Sequence, residues 1–133
     1  MKQASKAIIY YKQQYLLQLR DDNPDIPYPN CWSFFGGEIG DSETPWEALQ
    51  RELQEELNWY PNHGNFLYKN IDSKSNCCNH IFAVPFEDNQ NDLILREGQA
   101  LQWFVSKEIQ KNKNFAPNIK NHMVNFNNTR NKN

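Results

Sequence analysis

Residues 36–59 read GGEIGDSETPWEALQRELQEELNW, a stretch whose caps and periodicity mark out one helix. Thr44 is a good N-cap. Pro45 suits the first helical position, where its missing N–H would have no intrahelical partner, and Glu47 stands three residues after the threonine, as in a capping box. The helix is therefore expected to begin at residue 44 or 45. Trp46, Leu49, Leu53 and Leu57 recur at three- and four-residue spacing and form one buried stripe. Asn58 tolerates the left-handed conformation that closes helices and Pro61 blocks continuation, so the helix is expected to end near residue 57. Beside the stripe, Glu52, Glu55 and Glu56 share about a third of the helix circumference.

Like charges at these spacings cost about a few tenths of a kcal/mol per pair, and more where the face is partly buried. Arg51 alone cannot serve three clustered carboxylates. A divalent cation can, and hard oxygen ligands in this number suit magnesium or manganese, which complete their shells with water and substrate phosphates. That constellation is chemistry for phosphate esters and anhydrides. The alternative reading of the same residues is a solvated acidic helix face.

The 133 residues are enough for one domain with one core and too few for two. A net charge of -2 supplies no basic field for a nucleic-acid backbone, so a polymeric nucleic-acid partner is not expected. Aromatic residues at 14% provide the apolar bulk for a core despite few aliphatics. No run is long enough for a signal-peptide core or a membrane span, so a cytoplasmic protein without a membrane partner is expected. Cys31, Cys77 and Cys78 are an odd set with two adjacent members, poor material for disulfides, and are expected to be reduced. Cys77, Cys78 and His80 lack the second ligand pair of a structural zinc site and read as strand residues.

Alternating and β-branched runs predict strands over 6–11 and 15–20, a short strand over 32–35 running into Gly36 and Gly37, and further strands over 65–71, 80–86 and 100–105. Pro24, Pro27 and Pro29 make residues 21–30 a stiff loop, placed at a specificity rim or a homodimer contact. A second helix is expected either from Ser106 onward or across 117–126. Residues 1–126 are expected to form the single domain and the asparagine-rich 127–133 to fray.

From Gly37 the chain runs glycine, five residues, Glu43, seven residues, Arg51, Glu52, Leu53, Gln54, Glu55, Glu56, Leu57, Asn58, Trp59. This resembles the signature of the Nudix hydrolases at eight of its nine defined positions, with Asn58 in place of the family's glycine. Asparagine is the next most tolerant residue in a left-handed cap, so the helix end is expected to close normally. The resemblance implies an α/β (α+β) Nudix fold, a mixed β-sheet sandwiched between α-helices. It implies hydrolysis of a diphosphate linkage in a small nucleotide or nucleoside diphosphate derivative, with Mg2+ or Mn2+ as cofactor and water attacking phosphorus. A noncatalytic nucleotide-binding module of the same fold is the rival, disfavoured because all four motif glutamates are present.

In the metal site the resemblance places Glu52, Glu55 and Glu56, a backbone carbonyl near Gly37, and the distant Glu97. Glu43 and Arg51 brace the geometry, and Glu52 is the favoured helix residue for drawing a proton from water. For substrate, the expected contacts are Arg20 on a phosphate, Phe35, Gly36 and Gly37 beside it, and Asn118 on a base. Phe35 stands where many members place proline. Tyr28, Trp32 and Phe34 read as base-stacking or core aromatics.

Overall fold

A computed structural model describes residues 1–111 and 114–131. β1 (Lys2–Tyr11) and β2 (Gln14–Leu19) form the opening hairpin, paired through Ile9↔Leu16 and Tyr11↔Gln14, with Lys12 in the left-handed region at the turn. β1 is the spine of the sheet. Along one edge it pairs in parallel with β6 (Cys77–Pro85) from Lys2↔Cys77 to Tyr10↔Pro85. Along the other it is antiparallel to β2 near its end and to β4 (Phe35–Glu38) near its start, through Ala4↔Glu38 to Ala7↔Phe35. β5 (Asn65–Asp72) flanks β6, while β3 (Trp32–Ser33) and β7 (Ala100–Val105) both pair with β2. Among the described residues these strands make one mixed sheet.

Because side chains alternate along a strand, β1 feeds both faces of the sheet. Ala7 and Ile9 join Leu16, Phe82 and Val84 beneath the Leu49, Leu53 and Leu57 stripe of α1 (Pro45–Leu57). Ile8 joins Leu17, Ile81 and Ala83 beneath α2 (Ser106–Lys111) and α3 (Ile119–Asn131), where Ile109, Ile119, Met123 and Phe126 pack. The fold is thus a mixed sheet sandwiched between helices. No described helix is long and apolar enough to cross a membrane. The three cysteines are free thiols.

Besides β6, which starts at Cys77 and not at residue 80, the expected elements shift in three places. β1 starts at Lys2 and not at residue 6, because its early residues gain partners on β4 and β6 that lie far away in sequence. The strand expected over 32–35 is interrupted at Phe34, so that β3 stays with β2 while β4 crosses to β1. Both proposed second helices exist, and α3 continues to Asn131, taking in residues 127–131 that were expected to fray. Tertiary contacts hold that turn: Asn127 bonds the Tyr15 hydroxyl and the Ser106 hydroxyl, and the Arg130 guanidinium lies 4.7 Å from the Tyr10 ring centre. Residues 132–133 lie outside the described residues.

Candidate active site

The loop before α1 and the first turns of the helix are locked by local bonds. The Thr44 hydroxyl accepts from the Glu47 N–H at 3.1 Å and the Glu47 carboxylate accepts from the Thr44 N–H at 2.9 Å, which is the reciprocal capping box. Asn58 closes the helix at φ 56°, ψ 38°, with its N–H on the Gln54 carbonyl. The last carbonyls of α1, left without intrahelical donors, accept from a distant loop: Ile94 N–H on Leu57 O at 3.0 Å and Arg96 N–H on Glu56 O at 2.8 Å. That stitching carries Glu97 to the carboxylate end of the helix.

Arg51 is the brace. Its Nε and Nη2 grip the two Glu43 oxygens at 2.6 and 2.9 Å, Nη1 reaches Glu52 Oε1 at 3.0 Å and both Glu55 oxygens at 3.4 Å, and Nη2 also donates to the Glu38 carbonyl. The fork geometry of a guanidinium makes the Glu43 pair bidentate. The Arg51 hydrogen bonds, with the Gly40 N–H, hold the Glu43 carboxyl down at about 2.

Glu56 differs from its neighbours. It is 2% exposed; one oxygen takes the Gly36 N–H at 3.3 Å, and the other, Oε1, is buried without a hydrogen-bond partner. Burial first, and then the charge of Glu97, push its carboxyl up to about 9, with Lys6 opposing and Glu52 adding to the shift. Beside it, a Cβ on Gly37 would come within 2.4 Å of the Glu52 carboxyl carbon, so only glycine leaves that carboxylate its place.

The charges of Glu97 and Glu52 both bear on Glu56, while Glu52 and Glu55 are drawn onto Arg51. Among the described residues no three His, Cys, Asp or Glu side chains stand close enough as they are to hold a metal ion. The donor set nonetheless fits a hard divalent cation. A buried Glu56 carboxyl oxygen is left without a donor, and the cradle beside Gly37 is taken by the Glu52 carboxylate, so two oxygen-bearing groups stand side by side where a hard cation could replace missing donors.

Next to this site opens a cleft of about 260 Å³ bordered by Gly37, Arg20 and Asn118. Arg20 spends its Nε on the Pro27 carbonyl at 2.8 Å. Asn118 stands in the left-handed region at φ 72°, just before α3. Phe35 requires a correction. It is fully buried in the core under α1, since its side chain and that of Phe34 point to opposite faces, and it is Phe34 that borders the cleft. Gly36 belongs to the backbone pairing: its φ is 142°, and a Cβ there would lie 2.0 Å from the Ser5 carbonyl oxygen.

Sequence reasoning missed Lys6, which borders the cleft and feels the Glu56 and Glu52 carboxylates while burial drives its ammonium downward. Its one signal was a lysine on the same strand face as Ile8, in an otherwise apolar run. His122 also borders the cleft, 7% exposed, and nothing local marked it.

The NUDIX domain family model matches residues 1–126. The chain belongs to this family and is a Nudix-type pyrophosphohydrolase. It is 31% identical over 102 residues to the CTP pyrophosphohydrolase of Escherichia coli (strain K12), covering 77% of this chain and 74% of the relative. Among solved structures it resembles the MutT protein of Methanosarcina mazei Go1, with a TM-score of 0.83 at 17% identity over 97% of this chain and 94% of that one. The NUDIX domain of Shewanella oneidensis NrtR, solved with ADP ribose, superimposes with a TM-score of 0.77 at 14% identity over 97% and 88% of the two chains.

Proposed function

We propose that this enzyme cleaves a diphosphate linkage in a nucleoside triphosphate or a related nucleoside diphosphate derivative, using Mg2+ or Mn2+ and a water that attacks phosphorus. The observation that carries this reading is Glu56, buried with one oxygen unpartnered and under the charge of Glu97 and Glu52. Glu52, Glu55, Glu56 and Glu97, with the Gly37 carbonyl, would hold the cation. Bound there, it would offset phosphate charge and lower the pKa of a water. The relative that hydrolyses CTP and the neighbour solved with ADP ribose point to the same class of small nucleotide.

The remaining roles follow from position. Arg51, gripped by Glu43 at one end, keeps Glu52 aimed along the helix flank toward Gly37. Glu52 accepts the proton of the attacking water. Lys6 and Arg20 border the cleft beside the carboxylates and stabilise the phosphate oxygens as negative charge moves to the leaving group. Asn118 and the aromatic wall meet the base. The test is product analysis on nucleoside triphosphates, nucleotide sugars and dinucleotides, with and without magnesium. Magnesium-dependent release of a nucleoside monophosphate is expected, and the loss of all turnover in folded Glu55→Gln. Undiminished activity in that variant would refute the assignment.

A further inference from the structure

The cleft has two chemically different ends, joined by one row of the sheet. Register sets Tyr68 of β5 beside Ile81 of β6, Ile81 beside Lys6 of β1, and Lys6 beside Gly36 of β4. Paired residues share a face, so with strands about 4.8 Å apart the row spans about 14 Å. At one end lie Gly36, Lys6 and the carboxylates. At the other the wall is His122, from the first turn of α3, its ring stacked on Tyr68 at 5.5 Å with 23° between planes and 5.9 Å from Phe34.

His122 is buried, and its Nδ1 lies 2.6 Å from the Tyr68 hydroxyl oxygen. Burial pushes the Tyr68 hydroxyl above its ordinary range, with the nearby Asn125 side chain offsetting part of that rise. Burial likewise holds His122 below its ordinary range, favouring the neutral ring. A neutral imidazole has one donor and one acceptor nitrogen. In the tautomer whose Nδ1 accepts the Tyr68 proton, the hydrogen stands on Nε2 of a residue that borders the cleft.

The inference rests on the nucleotide reading above: with the phosphates at the carboxylate end, the row carries the base to Phe34, Ile81 and His122. We propose that the His122 Nε2–H donates to a carbonyl oxygen of that base, so that the enzyme selects oxo-substituted bases and rejects adenine. Adenine presents an amino group where guanine presents an oxygen, and it has no carbonyl at all. A buried donor left facing another donor loses its partner, which is the strongest form of discrimination a hydrogen-bonding site can exert. Tyr68 is the positioning residue, acting through the tautomer of His122.

ITP and ATP differ by one such exchange and make the sharpest comparison. For the wild-type enzyme with magnesium, kcat/KM for ITP and CTP is expected to exceed that for ATP by about tenfold or more. His122→Leu brings both ratios close to one. His122→Gln, which keeps an N–H donor, retains most of the preference, and Tyr68→Phe lowers it. Ratios measured within one variant are unaffected by loss of folded protein. Equal wild-type efficiency on ATP and ITP, or an unchanged ratio in His122→Leu, would overturn the proposal. Absence of turnover on every nucleotide would count against the hydrolase reading alone. Calorimetric binding of IMP and AMP then makes the same comparison, and equal affinities, or no binding of either, would overturn the base-reading role.

Discussion

At Gly36 an added Cβ meets backbone, 2.0 Å from the Ser5 carbonyl oxygen, whereas at Gly37 it meets only the end of the Glu52 side chain, 2.4 Å away. Backbone cannot yield cheaply; a side-chain terminus can. Gly36→Ala is therefore expected to cost about 3 kcal/mol or more of stability, and Gly37→Ala under about 1 kcal/mol while depressing kcat by displacing Glu52. Urea unfolding beside steady-state kinetics separates the two; a Gly37→Ala protein that is both stable and fully active would refute the cradle. Glu56 yields a pH prediction. A carboxyl whose pKa rises from 4.5 to about 9 on folding gives full stability below 4.5 and loses it as pH climbs through about 9. In divalent-free buffer, Glu56→Gln should thus melt higher than wild type at pH 8, by about 2 kcal/mol equivalent, with the gap closing toward pH 4, and it should be inactive. Of these residues Glu52, Glu55 and Glu56 could be grouped by helical spacing, and Glu43 and Arg51 only by the resemblance of the whole motif to the Nudix signature. Lys6 could not, because a lone lysine in a strand carries no information about which loop will lie against it.

The helix α1 was readable to within a residue at both ends, since its start and stop are set by groups three or four positions apart. Thr44→Ala should cost about 1 kcal/mol through loss of the hydroxyl that caps Glu47. Asn58→Gly should gain about 0.5 kcal/mol, because residue 58 is left-handed, a conformation glycine adopts without penalty. Chemical denaturation midpoints measure both. A loss on Asn58→Gly would mean that the Asn58 side chain, 3.4 Å from Gln54 and Arg96 donors, matters more than its backbone angle. Strands were legible as apolar runs but not in their pairing. The break at Phe34 illustrates why: alternation says that Phe34 and Phe35 face opposite ways, but not that the sheet splits there to admit Glu56 against Gly36.

Across the whole molecule, the proline loop and the β5–β6 turn meet at the mouth of the cleft. Tyr28, at φ 51°, donates its hydroxyl to Asp72, whose oxygens lie 2.9 and 2.7 Å away, and the Lys74 ammonium stands 5.1 Å from its ring centre. Burial, with the Asp72 carboxylate, pushes that hydroxyl up to about 12, so the bond persists throughout the neutral range. Tyr28→Phe is expected to raise KM by about 3- to 10-fold with kcat held, because the loop rims the cleft without touching the carboxylates. A fall in kcat with constant KM would place the loop in the chemistry instead. The proline loop was expected at a specificity rim or a homodimer contact; its partner on β5 was not foreseen.

The capped helix, its leucine stripe and the acidic flank follow from local chemistry alone, because caps, periodicity and left-handed tolerance act over a handful of neighbouring residues. The row from Tyr68 through Ile81 and Lys6 to Gly36, the turning of Phe35 into the core and the seating of His122 on Tyr68 do not. They depend on a parallel pairing between strands more than sixty residues apart and on a terminal helix held by contacts to the first hairpin. Such pairings are chosen by the simultaneous burial of both sheet faces, a condition met only by the assembled chain.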